Sequence, residues 1–103
     1  MTKQDIIHRI SALRISKGLS ARELSHKIDK NDAYINRLES KRSFEPSVSA
    51  LLEIIEACGS SVTEFFYYDP TQYKLDAEIL DLLKGVKCDQ KIPILALLKA
   101  LKS

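Results

Sequence analysis

A chain of 103 residues, 45% hydrophobic and 29% charged with three glycines and three prolines, describes one folded domain or one domain with a short appendage, not a disordered polymer. No apolar run approaches the ~20 residues of a membrane span, and Met1 to Asp5 lacks the apolar core of a secretory signal, so a cytoplasmic location is the expectation. The net charge of +2 is uneven: residues 1–45 carry ten Lys and Arg against six Asp and Glu, residues 46–103 six against eight.

Taken in chain order, every segment reads as a short helix. Thr2 is placed to cap the first, with Asp5 where a capping box usually has Glu or Gln. Ile6, Ile10 and Leu13 follow at helical spacing with Ile7 and Ile15 beside them, and Gly18 stops the helix. Ser20 and Glu23 form a second capping box, opening a helix with Leu24 and Ile28 inward that breaks at Asp29-Lys30-Asn31. A third helix is expected to be capped by Asn31 or Asp32, with Ile35 and Leu38 inward, and ends in the polar loop Ser40 to Glu45 before Pro46.

Ser47 caps a fourth helix, in which Val48, Leu51, Leu52, Ile54, Ile55 and Cys58 are expected in the core, and Gly59 ends it. Ser61 to Glu64 is a further capping box opening a short turn through Phe65 and Phe66. Beyond Asp69-Pro70 lie two more helices, about 72–84 and 89–102, separated by Gly85, with Pro93 expected in the tolerated first turn of the last. No strand alternation or repeat is present. The expected fold is all-α: a five-helix domain over residues 1–68 and a two-helix extension over 71–103.

Chemistry of the enzymatic or metal kind finds no support. There is no glycine-rich phosphate loop, nucleophile elbow or zinc motif. Cys58 and Cys88 match no ligand spacing and are expected as buried thiols, while His8 and His26 fall on solvent faces. Neither cofactor nor metal is expected.

The informative stretch is Ser20 to Glu39. Two short capped helices joined by a turn, each apolar on one side only, must pack crosswise on a third element, and the second then offers one face to solvent. Arg14, Gly18-Leu19-Ser20, Leu24, Ile28, Ile35, Leu38-Glu39, Pro46-Ser47, Leu51, Gly59 and Phe65-Phe66 occur in that order. In this ordered set the chain resembles the phage-repressor (Cro/repressor-like, xenobiotic-response-element) family of helix-turn-helix transcriptional regulators, over about Ile6 to Phe66. The resemblance implies a lambda-repressor-like domain that binds double-stranded DNA and regulates transcription, most commonly by repression, with the third helix in the major groove.

Position by position, the resemblance implies that Arg14 and Glu39 form a structural ion pair, and that Asn31, Asp32, Ala33, Asn36 and Arg37 face base edges. Arg22, Tyr34, Ser40, Lys41, Arg42 and Ser43 match phosphate-contacting positions. Arg37 has the fork for guanine, Asn31 or Asn36 the amide for adenine, and Asp32 the acceptor for cytosine N4; the bland alternative for each is a solvated helix face. Three departures stand out: Ala21 where the family usually has Gln, and Asp29 and Lys41 where it usually has Gly.

In the extension, Leu75, Ile79, Leu82 and Leu83, then Ile92, Leu95, Leu98 and Leu101, form apolar stripes beyond the needs of the five-helix core. The expected use is a homodimer on a palindromic operator; the alternative is that these helices fold back on the core. A competing reading makes the chain a protein-interaction module, an antitoxin or partner-controlled regulator, with secondary DNA binding.

Overall fold

In a computed structural model, residues 1–102 are described, and their regular elements are all helices, with no strand among them. The chain divides into two compact units, Met1–Tyr67 and a second beginning at Tyr68. The first holds α1 (Lys3–Ser16), α2 (Ala21–Lys27), α3 (Tyr34–Leu38), α4 (Val48–Ala57) and α5 (Val62–Phe65). The second holds a 3₁₀ turn (Pro70–Gln72), α6 (Tyr73–Leu83) and α7 (Cys88–Lys102).

Local chemistry fixes the helix ends. Thr2 Oγ1 accepts from the Asp5 amide at 3.2 Å while the Asp5 carboxylate accepts from the Thr2 amide at 2.8 Å, so aspartate completes this capping box. Ser20 and Glu23 do the same for α2, at 3.0 and 3.1 Å. At the other end of α1, Gly18 takes φ +69 and the Leu19 amide reaches back to the Arg14 carbonyl at 3.1 Å, satisfying a carbonyl the helix would otherwise orphan.

The core of the first unit is a continuous cluster of Ile7 and Ile10 from α1, Leu24 and Ile28 from α2, Ile35 and Leu38 from α3, and Ile54, Ile55, Cys58 and Phe65 from the last two helices and their caps. Each such side chain removed from water contributes about 1.5–3 kcal/mol. No helix here is long enough to stand alone, so this shared burial is what holds α2 and α3 in place.

Several expectations need correction. Val48 is 76% exposed and Leu52 45% exposed. At 100° per residue, the inward face of α4 runs through Ala50, Ile54, Ile55 and Cys58, which leaves Leu52 outside it; Val48 lies on the side of Ile55 but is the first residue of the helix, one turn short of the core. The helix expected to be capped by Asn31 or Asp32 starts at Tyr34 and has no side-chain cap, because Asn31 Oδ1 instead closes a turn on the Ala33 amide at 3.0 Å. Ser61 caps α5 through the Glu64 amide at 3.1 Å, but the Glu64 carboxylate takes a 3.3 Å bond from the Ser60 hydroxyl. Cys58 is buried, with burial pushing its thiol pKa up, whereas Cys88 is exposed at the start of α7. Because α7 begins at Cys88, Pro93 falls in its second turn and removes an amide from the helical ladder.

Candidate nucleic-acid interface

The site is built on α2, α3 and the turn between them. Asp29 takes φ +57 at the start of that turn. Its amide bonds to the His26 carbonyl at 3.1 Å and the Lys30 amide to the Ser25 carbonyl at 2.9 Å, the same glycine-type helix stop seen after α1, here adopted by an aspartate. Behind the turn, Ser25 is fully buried. Its hydroxyl donates to the Ala21 carbonyl at 2.8 Å and accepts from the Ile35 amide at 3.0 Å. That amide lies in the first turn of α3 and has no partner within its own helix, so one buried hydroxyl fixes α3 against α2. Ser25 is a structural residue that helical periodicity missed, since a serine beside an apolar stripe reads as solvated.

Arg14 ties the pair to α1. Its Nε donates to Glu39 Oε2 at 2.9 Å, Nη2 to Oε1 at 2.8 Å, and Nη1 to the Leu19 carbonyl at 2.9 Å. Both charged side chains are only about 15% exposed. The fork therefore joins α1, the α1–α2 connection and Glu39, the C-cap of α3. Hydrogen bonding to Glu39 raises the Arg14 pKa above its ordinary value, so its charge is permanent. Arg9 also braces the frame, donating to the Phe65 carbonyl at 2.8 Å and to that of Tyr67.

With the frame fixed, the outward residues fall into three groups. Asn31, Asp32, Asn36 and Arg37 are exposed and Ala33 is half-buried, all on the turn and on α3. Ser40, Lys41 and Arg42 are exposed just beyond α3, where the Ser40 hydroxyl donates to the Arg37 carbonyl at 2.7 Å. Ser43 is half-buried, and its hydroxyl accepts from Gln4 Nε2 at 3.2 Å. Tyr34 is also half-buried, its ring edge-on to Phe44 at 5.3 Å with Lys30 Nζ 5.5 Å from its centroid, and burial raises its phenol pKa.

Asp32 sits differently from the rest. Its carboxylate bonds to the His26 imidazole and lies 3.6 Å from Arg22 Nη2, both on α2. Hydrogen bonding to His26 lowers its pKa below the usual aspartate value. Two residues given separate roles, Arg22 toward phosphate and Asp32 toward a base, therefore engage each other in the free protein. His26, read as a plain solvent-face residue, belongs to the same cluster.

A family model described as helix-turn-helix matches residues 10–65, from the middle of α1 through α5, which is over half of the chain. The chain belongs to the helix-turn-helix family. Comparison with curated proteins and with solved structures gives no match. Membership makes this an all-α, DNA-binding helix-turn-helix regulator of phage-repressor type. Among the described residues, no helix is long and apolar enough to cross a membrane, and no cluster of His, Cys, Asp and Glu has the makings of a metal site.

Proposed function

We propose that this helix-turn-helix protein is a sequence-specific repressor that inserts α3 into the major groove and binds a palindromic operator as a homodimer. The observation that supports this most is the fixed presentation of α3. Two polar devices, the buried Ser25 and the half-buried Arg14–Glu39 fork, lock its inner side, while Asn31, Asn36 and Arg37 stay exposed outside. An immobile helix bearing amides and a guanidinium is what reading base edges requires, because each bidentate contact is directional. Arg37 would read guanine, and Asn31 or Asn36 adenine.

Asp32 and Ala33 complete the base-facing set, with Asp32 accepting from cytosine N4 if it leaves its partners on α2. Arg22, Tyr34, Ser40, Lys41, Arg42 and Ser43 would hold the backbone. Of these, the exposed cations Lys41 and Arg42 are best suited to it, since phosphate neutralisation dominates affinity. Residues 1–68 would then serve as the reading domain and 71–103 as the dimerising extension, placing two copies of α3 about 34 Å apart on successive turns of DNA.

Salt dependence tests the assignment of backbone contacts. Titration of an operator-containing duplex between 50 and 300 mM salt gives a log–log slope that Lys41→Ala and Arg42→Ala should each make shallower by about 1. Unchanged slopes in both variants would remove the phosphate roles. The second reading, a partner-controlled protein-interaction module, draws on the exposed apolar residues of α6 and α7. It predicts a different protein bound in fixed ratio and no operator preference by the chain alone.

A further inference from the structure

No residue of α6 or α7 is buried and only Leu83, Val86 and Ile94 among their larger apolar residues and the turn between them are half-buried, so most of the apolar surface of the two helices stays uncovered within one chain. Leu75, Ile79 and Leu82 on α6 are exposed; on α7 Leu98 and Leu101 are exposed and Ile94 half-buried. Both sets recur at i, i+4 and i+7, the spacing of a helix-packing seam. Apolar stripes of this kind on consecutive helices mark an association surface.

The charges on the two helices say what covers them. α6 carries Lys74 against Asp76, Glu78 and Asp81, a net −2, or −1 with its C-cap Lys84, whose ammonium lies 3.5 Å from Asp81. α7 carries Asp89 against Lys91, Lys99 and Lys102, a net +2. Laying α6 on a copy of itself, or α7 on a copy of itself, opposes like charges along an apolar seam, which disfavours that register. Laying α6 on the α7 of another copy opposes unlike charges, and a two-fold axis repeats that favourable pairing twice.

We infer that the occupant of these faces is a second copy of this chain, with α6 of each protomer packed on α7 of the other. This deepens the dimeric reading above and rests on it: beyond saying that the chain dimerises, it specifies which helix meets which. Leu75, Ile79 and Leu82 of one protomer then face Ile94, Leu98 and Leu101 of its partner, with Asp76 and Glu78 beside the first seam, Lys91 and Lys102 beside the second, and Asp81 and Lys99 farther round their helices.

Charge reversal on the full chain tests the pairing, read as mass by sedimentation equilibrium at 1–100 μM. The wild-type chain should give twice its 11.7 kDa mass. The variant Lys91→Glu/Lys99→Glu/Lys102→Glu makes both helices acidic, and Asp76→Lys/Glu78→Lys/Asp81→Lys makes both basic. Each alone should sediment as a monomer, with association weakened at least 100-fold. Combined in one chain, the six reversals restore unlike charges between α6 and α7 but leave like charges on any α6–α6 or α7–α7 pair, so this variant should sediment as a dimer and form no mixed dimer with the wild-type chain. Failure of the combined variant to recover the dimer mass, mixed dimers between it and the wild type, or two triple variants that stay dimeric overturn the pairing while leaving the dimer standing. A wild-type monomer at 100 μM overturns the pairing and the dimeric reading together, whereas DNA binding is judged separately by the salt titration.

Discussion

Cutting the Arg14–Glu39 fork tests how α3 is held. Replacing Glu39 with alanine leaves Arg14 Nε and Nη2 without acceptors in a site where both side chains are about 15% exposed. A hydrogen bond to a charged group is worth about 1.5–3 kcal/mol, and breaking a fully buried pair costs about 3–5 kcal/mol. The residual exposure lets some water in, so a loss of about 2–3 kcal/mol is expected for Glu39→Ala. Arg14→Met should lose a similar ~2–3 kcal/mol, because it strands the carboxylate and also frees the Leu19 carbonyl. The double variant Arg14→Met/Glu39→Met strands only that carbonyl and should lose about 2 kcal/mol. Two single losses summing to ~5 kcal/mol against a double loss of ~2 kcal/mol give a coupling energy of about 3 kcal/mol, at the upper end for residues in contact. Urea denaturation followed by circular dichroism at pH 7 measures all three. Additive losses would refute a coupled fork, and single losses below about 0.5 kcal/mol would make it an ordinary surface pair.

Other predictions concern the same frame. Ser25→Ala removes the acceptor for a buried α3 amide and should cost about 1–2 kcal/mol by the same denaturation assay. At Asp29, φ +57 disfavours β-branched residues, so Asp29→Ile should lower stability by about 1–2 kcal/mol while Asp29→Gly keeps or raises it. The Glu23 carboxylate, its pKa lowered first by the hydrogen bond from the Ser20 amide, stabilises the folded state above the ordinary glutamate value. That contribution is lost as pH falls through the lowered folded value, so wild type and Glu23→Gln should differ near neutrality and converge in acid when melted across pH 2–7.

The helix order was legible because its punctuation is local. Thr2, Ser20, Ser47 and Ser61 all accept from the amide three residues on, and Gly18 and Gly59 both take positive φ. Which face of α4 is inward was less legible. Val48 and Leu52 are apolar enough for a core, and only the packing of neighbouring helices decides against them. The start of α3 was hidden for a similar reason, since Asn31 is as good a turn former as a helix cap, and it took the turn.

At the candidate site, the residues that make contacts across the fold were the hardest to find. Ser25 joins two helices through main-chain groups that no periodicity displays. His26 and Arg22 lie four apart on α2, so they share a face, but their meeting with Asp32 depends on how sharply the turn brings residue 32 back. That closure follows from the left-handed Asp29, a position where the sequence departs from the family's usual glycine.

The central claim is that α3 reads sequence, and selection from random duplex DNA at stated salt tests it most directly, with wild type and Arg37→Ala run side by side. The account predicts that wild type enriches a palindrome and that the variant relaxes one position in each half-site, by about 1–3 kcal/mol of discrimination. Enrichment of no sequence by wild type, or an unchanged preference in the variant, would contradict it.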